Sequence, residues 1–390
     1  LAKIIAEKSI ILLKNDGTLP LSKSIKKLAV IGPNSNDKMA LFGNYSFENH
    51  VVSTHFPDAA EQVVSAPTIF EVLRERLSKV RIGYAKGCEV MNAGKENIAE
   101  AVTLARESSV ALVVVGDKAG HFRQGTVGEG TDTADLALPG RQAQLVKAVI
   151  ATGTPTIIVL LNGRPFAMKK IADQAAAIVE AWFPGQAGAE AVADVLFGDL
   201  NPGGKTTLTF SQGAGAQPSY YNYKFLAHGI PRLPEAEPLF PFGHGLSYTT
   251  FEYSDLSLSA SEVPVDGVIT ISCTVRNTGS REGDEVVQLY VQDLYASITR
   301  PVKELKGFIR LGFNPDEAKR ISFTVSADLL SFTGPDYKKI VEPGAIKVMI
   351  GTSSEDIRLT GEFKLTGPVR EAGEDRALTS EVTTRPLINE

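Results

Sequence analysis

Glu129 stands between two glycines, Gly128 and Gly130, within the stretch RQGTVGEGTDTADLALPG, Arg123 to Gly140. A carboxyl without bulky neighbours along the chain is open to a ligand, and Gly125, Gly128 and Gly130 allow tight turns around it. Such a carboxyl serves as a general acid when its surroundings raise its pKa. A solvated loop carboxylate has the same local sequence, and loop position by itself favours that plainer reading. Other chemistry is poorly represented. The five histidines (His50, His55, His121, His228, His244) include no HxxxH pair, and no Cys/His cluster has zinc spacing. No metal and no cofactor is expected. LAVIG at Leu28 to Gly32 is not followed by GxGxxG, and no Walker lysine motif is present, so it reads as a plain buried strand.

The elements around Glu129 alternate. Val110 to Val115 is an apolar run with the pattern of a buried parallel strand, and a helix is expected to start near Gly140. Ligands of open parallel sheets sit beyond the carboxyl ends of the strands, where this loop lies. Further strands are expected at Leu28–Gly32, Val80–Tyr84, Thr156–Leu161 and Ala177–Phe183. Leu1 to Leu13 has near-helical apolar spacing, and helices are expected from Thr68 to Leu77, Glu96 to Ala105, Leu145 to Ala151 and Ala187 to Phe197. The irregular stretch after Gly32, with Asn44 and Tyr45 near its centre, reads equally as a surface loop or a cleft wall. This is an α/β sandwich with a mostly parallel sheet.

Beyond Asn201 the texture changes. Prolines and glycines break any long element between residues 213 and 250, and Tyr220, Tyr221 and Tyr223 suggest an ordered, surface-anchored linker. From Phe251 short strands with Gly/Pro/Asn turns indicate an all-β sandwich. Ile269, Ile271, Cys273 and Val275 alternate, which puts Cys273 in its core. The absence of a Cys…Trp…Cys pattern favours a fibronectin III-like fold over an immunoglobulin one. The expected domains are 1–212, a linker 213–250, a sandwich 251–366 and a polar tail 367–390.

Composition narrows the function. The chain has 390 residues and a net charge of -5, without a basic block, which argues against nucleic-acid binding. No apolar run approaches the roughly 20 residues that span a bilayer, so no membrane partner is expected. The two cysteines, Cys88 and Cys273, fall in different expected domains, so no disulfide is expected. The chain begins at Leu1 and reads as processed, trimmed or part of a longer product. Its compartment is open, with secreted or periplasmic favoured.

Several motifs together resemble one family. KSIILLKNDGTLPL (8–21), EGTDTADLALPG (129–140), LNGRP (161–165) and FPGQAGAEAVADVLFGDLNPGGK (183–205) are similar to signatures of glycoside hydrolase family 3. FPFGHGLSYTTFEYS (240–254), DEVVQLYVQD (284–293) and RPVKELKGF (300–308) match as well. The resemblance covers the chain to about residue 365 and is strongest to the β-glucosidase and β-xylosidase branch. It implies the α/β sandwich and fibronectin-like domains of that family without its catalytic barrel, and so without the nucleophilic aspartate. It also implies that Glu129, eleven residues before Gly140, is the acid/base of a retaining β-glycosidase. The sequence departs from the common pattern at Thr133, usually arginine, and at Ala137, often an acid.

On that resemblance the substrate is a β-glucoside or short β-linked oligosaccharide, and the partner a barrel domain or chain. A homodimer would also cover an exposed apolar face. Phe122 and Arg123 could stack on a sugar or bond its hydroxyls, or be ordinary packing and surface charge. Asp132 could contact substrate or hold the loop, and Asn44 could line the cleft. Trp182 reads as core or interface. The alternatives are a barrel-less sugar- or partner-binding module without turnover, and a β-xylosidase or arabinofuranosidase.

Overall fold

The computed structural model describes residues 1–52, 55–59, 63–91, 97–131, 133–225, 227 and 236–387. The chain divides into two compact units. The first holds Leu1–Lys205, Phe210–Gln217 and Pro238–Phe240, and the second Thr206–Thr209, Pro218–Glu237 and Pro241–Glu390.

Six strands of the first unit form one sheet: β1 (Ile11–Asn15), β2 (Lys27–Ile31), β3 (Arg81–Ala85), β4 (Val110–Gly116), β5 (Thr156–Leu161) and β6 (Ala177–Glu180). Their order is β1-β6-β5-β4-β2-β3, with β1 antiparallel and the rest parallel. Every residue of β4 and β5 is buried, as their unbroken apolar sequences require of strands covered on both faces. Among the described residues, six α-helices accompany the sheet: α1 (Ala2–Ser9), α2 (Ile69–Arg76), α3 (Ile98–Arg106), α4 (Gln142–Ile150), α5 (Lys169–Ala172) and α6 (Gly188–Phe197). Thr68 and Glu71 close a reciprocal capping box on α2. Asn97 caps α3, and Gly198 ends α6 at φ 71°. Asp194 on α6 pairs with Arg76 of α2 and with Lys3 of α1, tying three helices together.

Two expectations need correction. The near-helical spacing of Leu1 to Leu13 ends at Ser9. Ile10 is extended, and Ile11–Asn15 becomes an edge strand antiparallel to β6. Backbone pairing with a buried strand outweighs the helical pattern of three adjacent apolar residues. The strand expected to reach Phe183 stops at Glu180, because Trp182 takes φ 55° and leaves the extended region. Helix α3 begins at Ile98, and Glu96, its expected start, lies outside the described residues.

The sheet order creates a switch point. From β2 the chain passes to β3 on one side and then crosses to β4 on the other. The loops leaving the carboxyl ends of β2 and β4 therefore diverge across a crevice, which is where such sheets place ligands. Gly116 makes the departure from β4 possible. It has φ 150°, and a Cβ there would lie 1.9 Å from the Leu161 carbonyl oxygen.

A short ribbon of β7 (Phe210–Ser211) and β8 (Pro238–Phe240) completes the first unit. Among the described residues the second unit contains twelve more strands. They are β9 (Phe251–Leu258), β10 (Glu262–Pro264), β11 (Val268–Asn277), β12 (Gly283–Asp293), β13 (Glu304–Phe313), β14 (Ala318–Ser326), β15 (Phe332–Thr333), β16 (Lys339–Val341), β17 (Gly344–Gly351), β18 (Ile357–Thr366), β19 (Arg370–Glu371) and β20 (Glu381–Leu387). One sheet runs β10-β18-β17-β12-β13 and the other β20-β14-β11-β9, with a small β15-β16-β19 sheet beside them. Ile269, Ile271, Cys273 and Val275 all enter the core between them. Burial pushes the Cys273 thiol up to about 12, which suits a packing residue. Both cysteines are buried, and neither is in a disulfide. The polar stretch after residue 366 supplies β20, an edge strand paired with β14 and mostly exposed. Tyr221 stacks on Phe242 with ring centroids 4.3 Å apart, and its hydroxyl accepts a bond from the Leu305 amide. Tyr220 is exposed.

Candidate active site

The loop between β4 and α4 is folded back on itself. Thr126 N donates to the Lys118 carbonyl, Gly120 N to Val127 and Phe122 N to Glu129, at 2.8, 3.1 and 2.8 Å. These bonds make a narrow ribbon with Glu129 on its outer arm. Gly128 sits at φ 125°, where a Cβ would lie 2.2 Å from the Gly120 carbonyl and 2.5 Å from the Asn44 side chain. Phe122 and Arg123 take φ 46° and 70°, a left-handed conformation unusual for bulky residues and held here by the ribbon.

The base of the ribbon is anchored by a buried charge. Asp117, the first residue past β4, is fully buried. Its carboxylate accepts from Thr126 Oγ1 at 2.8 Å and from Gly163 N at 3.3 Å, and pairs with Arg164 at 3.5 Å. Burial nevertheless raises its pKa above the usual range, against the lowering effect of those partners. Arg164 also donates to the Asp135 carbonyl, so one guanidinium joins both ends of the loop. Asn34, on the loop after β2, donates to the Asp117 carbonyl at 3.1 Å and closes the floor of the crevice.

The loop after β2 reaches Glu129 itself. Tyr45 donates its phenolic proton to Glu129 Oε2 at 2.5 Å. Asn44, with its amide turned to satisfy both neighbours, donates to the Gly120 carbonyl at 2.6 Å and accepts from Glu129 N at 3.2 Å. Tyr45 stacks on His50 with centroids 5.6 Å apart and meets the edge of buried His121 at 5.5 Å. The Glu129 side chain is exposed.

Glu129, Asn44, Phe122 and Arg123 therefore share one rim, while Asp132 lies outside the described residues. Phe122 is 70% exposed beside Glu129. Arg123 lines a cleft of about 520 Å³ with Thr126, Thr131, Thr133, Asp135 and Arg164. Asn44 grips the Glu129 backbone rather than only lining a cleft. Trp182 is half-buried, its ring 5.9 Å from that of Phe210. Sequence reasoning noted Tyr45 only as the centre of an irregular loop, and did not single out His50, Asp117 or Arg164. Position at a switch-strand exit was the available signal for Tyr45 and Asp117. Among the described residues no three Cys, His, Asp or Glu side chains form a possible metal cluster, and no helix is long and apolar enough to cross a membrane.

A mostly parallel sheet with a carboxyl-bearing loop at its switch point, and a separate unit of two antiparallel-rich sheets, define the architecture with which known proteins can be compared. Residues 10–248 match the family described as the glycosyl hydrolase family 3 C-terminal domain, and residues 285–354 the fibronectin type III-like domain. The chain belongs to glycoside hydrolase family 3. A β-xylosidase of Formosa agariphila is 42% identical, over 90% of this chain and 48% of that protein. A periplasmic β-glucosidase of Salmonella typhimurium is 37% identical, over 93% and 49%. The crystal structure of a β-glucosidase from Listeria innocua in complex with glucose superposes with a TM-score of 0.81 at 31% identity, covering 93% of this chain and 49% of that one. The chain thus spans about half the length of the curated relatives it matches, and no catalytic barrel occurs among its described residues.

Proposed function

We propose that this chain is the acid/base half of a retaining β-glycosidase that removes terminal β-linked glucosyl residues. Glu129 is its general acid/base, and the nucleophilic aspartate belongs to a barrel domain outside this sequence. The observation that carries the reading is an exposed carboxyl held by two loops at the switch point of the sheet, on a chain of this family. A retaining mechanism needs two carboxyls about 5–5.5 Å apart. One attacks the anomeric carbon. The other protonates the departing oxygen and then takes a proton from the incoming water. The barrel would supply both the second carboxyl and the burial that makes a glutamic acid available near neutral pH.

Glu129→Ala in the complete protein tests the assignment. Hydrolysis of an activated aryl glycoside should fall steeply and recover in part with azide, which needs no base to attack the glycosyl-enzyme. Wild-type rates without azide would refute the role. A β-xylosidase is the second reading, favoured by the 42% identical relative of that name. The ratio of kcat/KM for 4-nitrophenyl β-glucoside and β-xyloside separates the two.

A further inference from the structure

Asn44 and Tyr45, adjacent in sequence, hold different parts of the same residue. Asn44 fixes the Glu129 backbone amide, and Tyr45 fixes one oxygen of its carboxyl. The Tyr45 ring is in turn seated against two imidazoles, His50 and His121, which themselves meet edge to face at 4.6 Å. Beneath this group Asn49 ties the loop together through the Phe42 and Gly43 carbonyls. An exposed carboxylate on a glycine-flanked loop would otherwise rotate freely. Here its side chain and its backbone are both committed to one neighbouring loop.

We propose that Tyr45 is a positioning residue for Glu129, holding Oε2 so that Oε1 alone carries the proton to and from the glycosidic oxygen. This rests on the acid/base reading of Glu129. In the first step the Oε1 proton passes to the leaving oxygen as the glycosidic C–O bond breaks and the nucleophile's carboxylate bonds to the anomeric carbon. Glu129 becomes a carboxylate, and its charge strengthens the phenol's hydrogen bond. In the second step Oε1 takes a proton from water as the water oxygen attacks that carbon and the nucleophile departs. The phenol keeps its own proton throughout. The Glu129 carboxylate raises the Tyr45 pKa, chiefly through this hydrogen bond, so the tyrosine remains a donor. The geometry therefore gives the two oxygens of one carboxyl separate roles.

Two measurements test this. In the chain itself, NMR of labelled tyrosine should show Tyr45 titrating at lower pH in Glu129→Gln, because the neutral amide accepts the phenolic proton more weakly and adds no negative charge beside the phenolate. An unchanged titration overturns the proposal without any assay of turnover. In the complete enzyme, Tyr45→Phe should lower kcat/KM about tenfold for alkyl glycosides, whose leaving group needs the proton, with a much smaller loss for 2,4-dinitrophenyl glycosides. The plot of rate against leaving-group pKa should steepen. An equal loss for every substrate, or none, overturns the positioning role. Glu129→Ala serves as the control. If that variant steepens the plot and Tyr45→Phe does not, only this inference fails. If Glu129→Ala keeps wild-type rates, the acid/base reading itself fails.

Discussion

Glu129 and Glu180 both stand near the carboxyl ends of parallel strands, in opposite surroundings. Glu129 lies on an exposed ribbon, with a single phenol on one of its oxygens. Glu180 ends β6 fully buried, and both its oxygens are committed: one to the Trp182 amide at 2.8 Å, the other to Asn162 at 3.1 Å. Burial pushes the Glu180 carboxyl up to about 8, opposed by those two donors and reinforced by nearby Asp117. A search for strongly perturbed carboxyls would select Glu180 as functional. Its contacts indicate a structural role instead. It holds the chain through the left-handed turn at Trp182 and locks Asn162 at the exit of β5. A perturbed carboxyl inside a unit can be structural, while the carboxyl we propose as the acid is the one the unit leaves exposed.

Removing each carboxyl should separate these roles. The largest effect is expected in activity from Glu129→Ala in the complete enzyme. Loss of general acid–base assistance should lower kcat on the order of 10²–10⁴-fold, with the melting temperature of the protein unchanged. A large loss of stability instead would break the contrast, because it would make Glu129 structural too. Glu180→Ala should do the reverse. It leaves the Trp182 amide without its acceptor and the Asn162 side chain with only its bond to the Arg164 carbonyl, in a fully buried setting, so unfolding should become easier by about 2–3 kcal/mol in denaturant titrations. The folded fraction should retain its acid/base step, read from an unchanged slope against leaving-group pKa.

The contrast sharpens further with pH. Glu180 has a folded pKa of about 8, above its ordinary 4.5. Its proton favours the folded state, so its contribution is complete below about 4.5 and is lost as pH rises through 8. Calorimetry between pH 5 and pH 9 should show the wild-type melting temperature falling by on the order of 5 °C more than that of Glu180→Gln, whose amide does not titrate. Parallel curves for the two proteins would show that Glu180 does not couple folding to pH.

Much of this was legible along the chain, for reasons that differ by element. The short β-branched run VALVVV reads as a strand covered on both faces, and β4 is buried throughout. Thr68 and Glu71 sit at capping-box spacing, and the box is formed. The alternation from Ile269 to Val275 places four side chains in the second core. Strand β1 was not legible, because its pairing partner β6 lies more than 160 residues away and local pattern carries no trace of it. Within the site, Glu129 was visible from its glycines and its motif. The phenol that holds it was not, since Tyr45 is 84 residues distant.

The sequence by itself determined the class of the chain, its two kinds of fold and the one carboxyl worth following. Those are properties of periodicity, turn residues and ordered motifs, all of which act over short stretches. The tertiary structure decided which loops meet. The crossing from β3 to β4 brings the exits of β2 and β4 to one crevice, and only there do Asn44 and Tyr45 reach Glu129. It also decided that Glu180, one glutamate among many in the sequence, is sealed away from water. Burial and through-space contact depend on how distant segments stack, and no local stretch of residues encodes that alone.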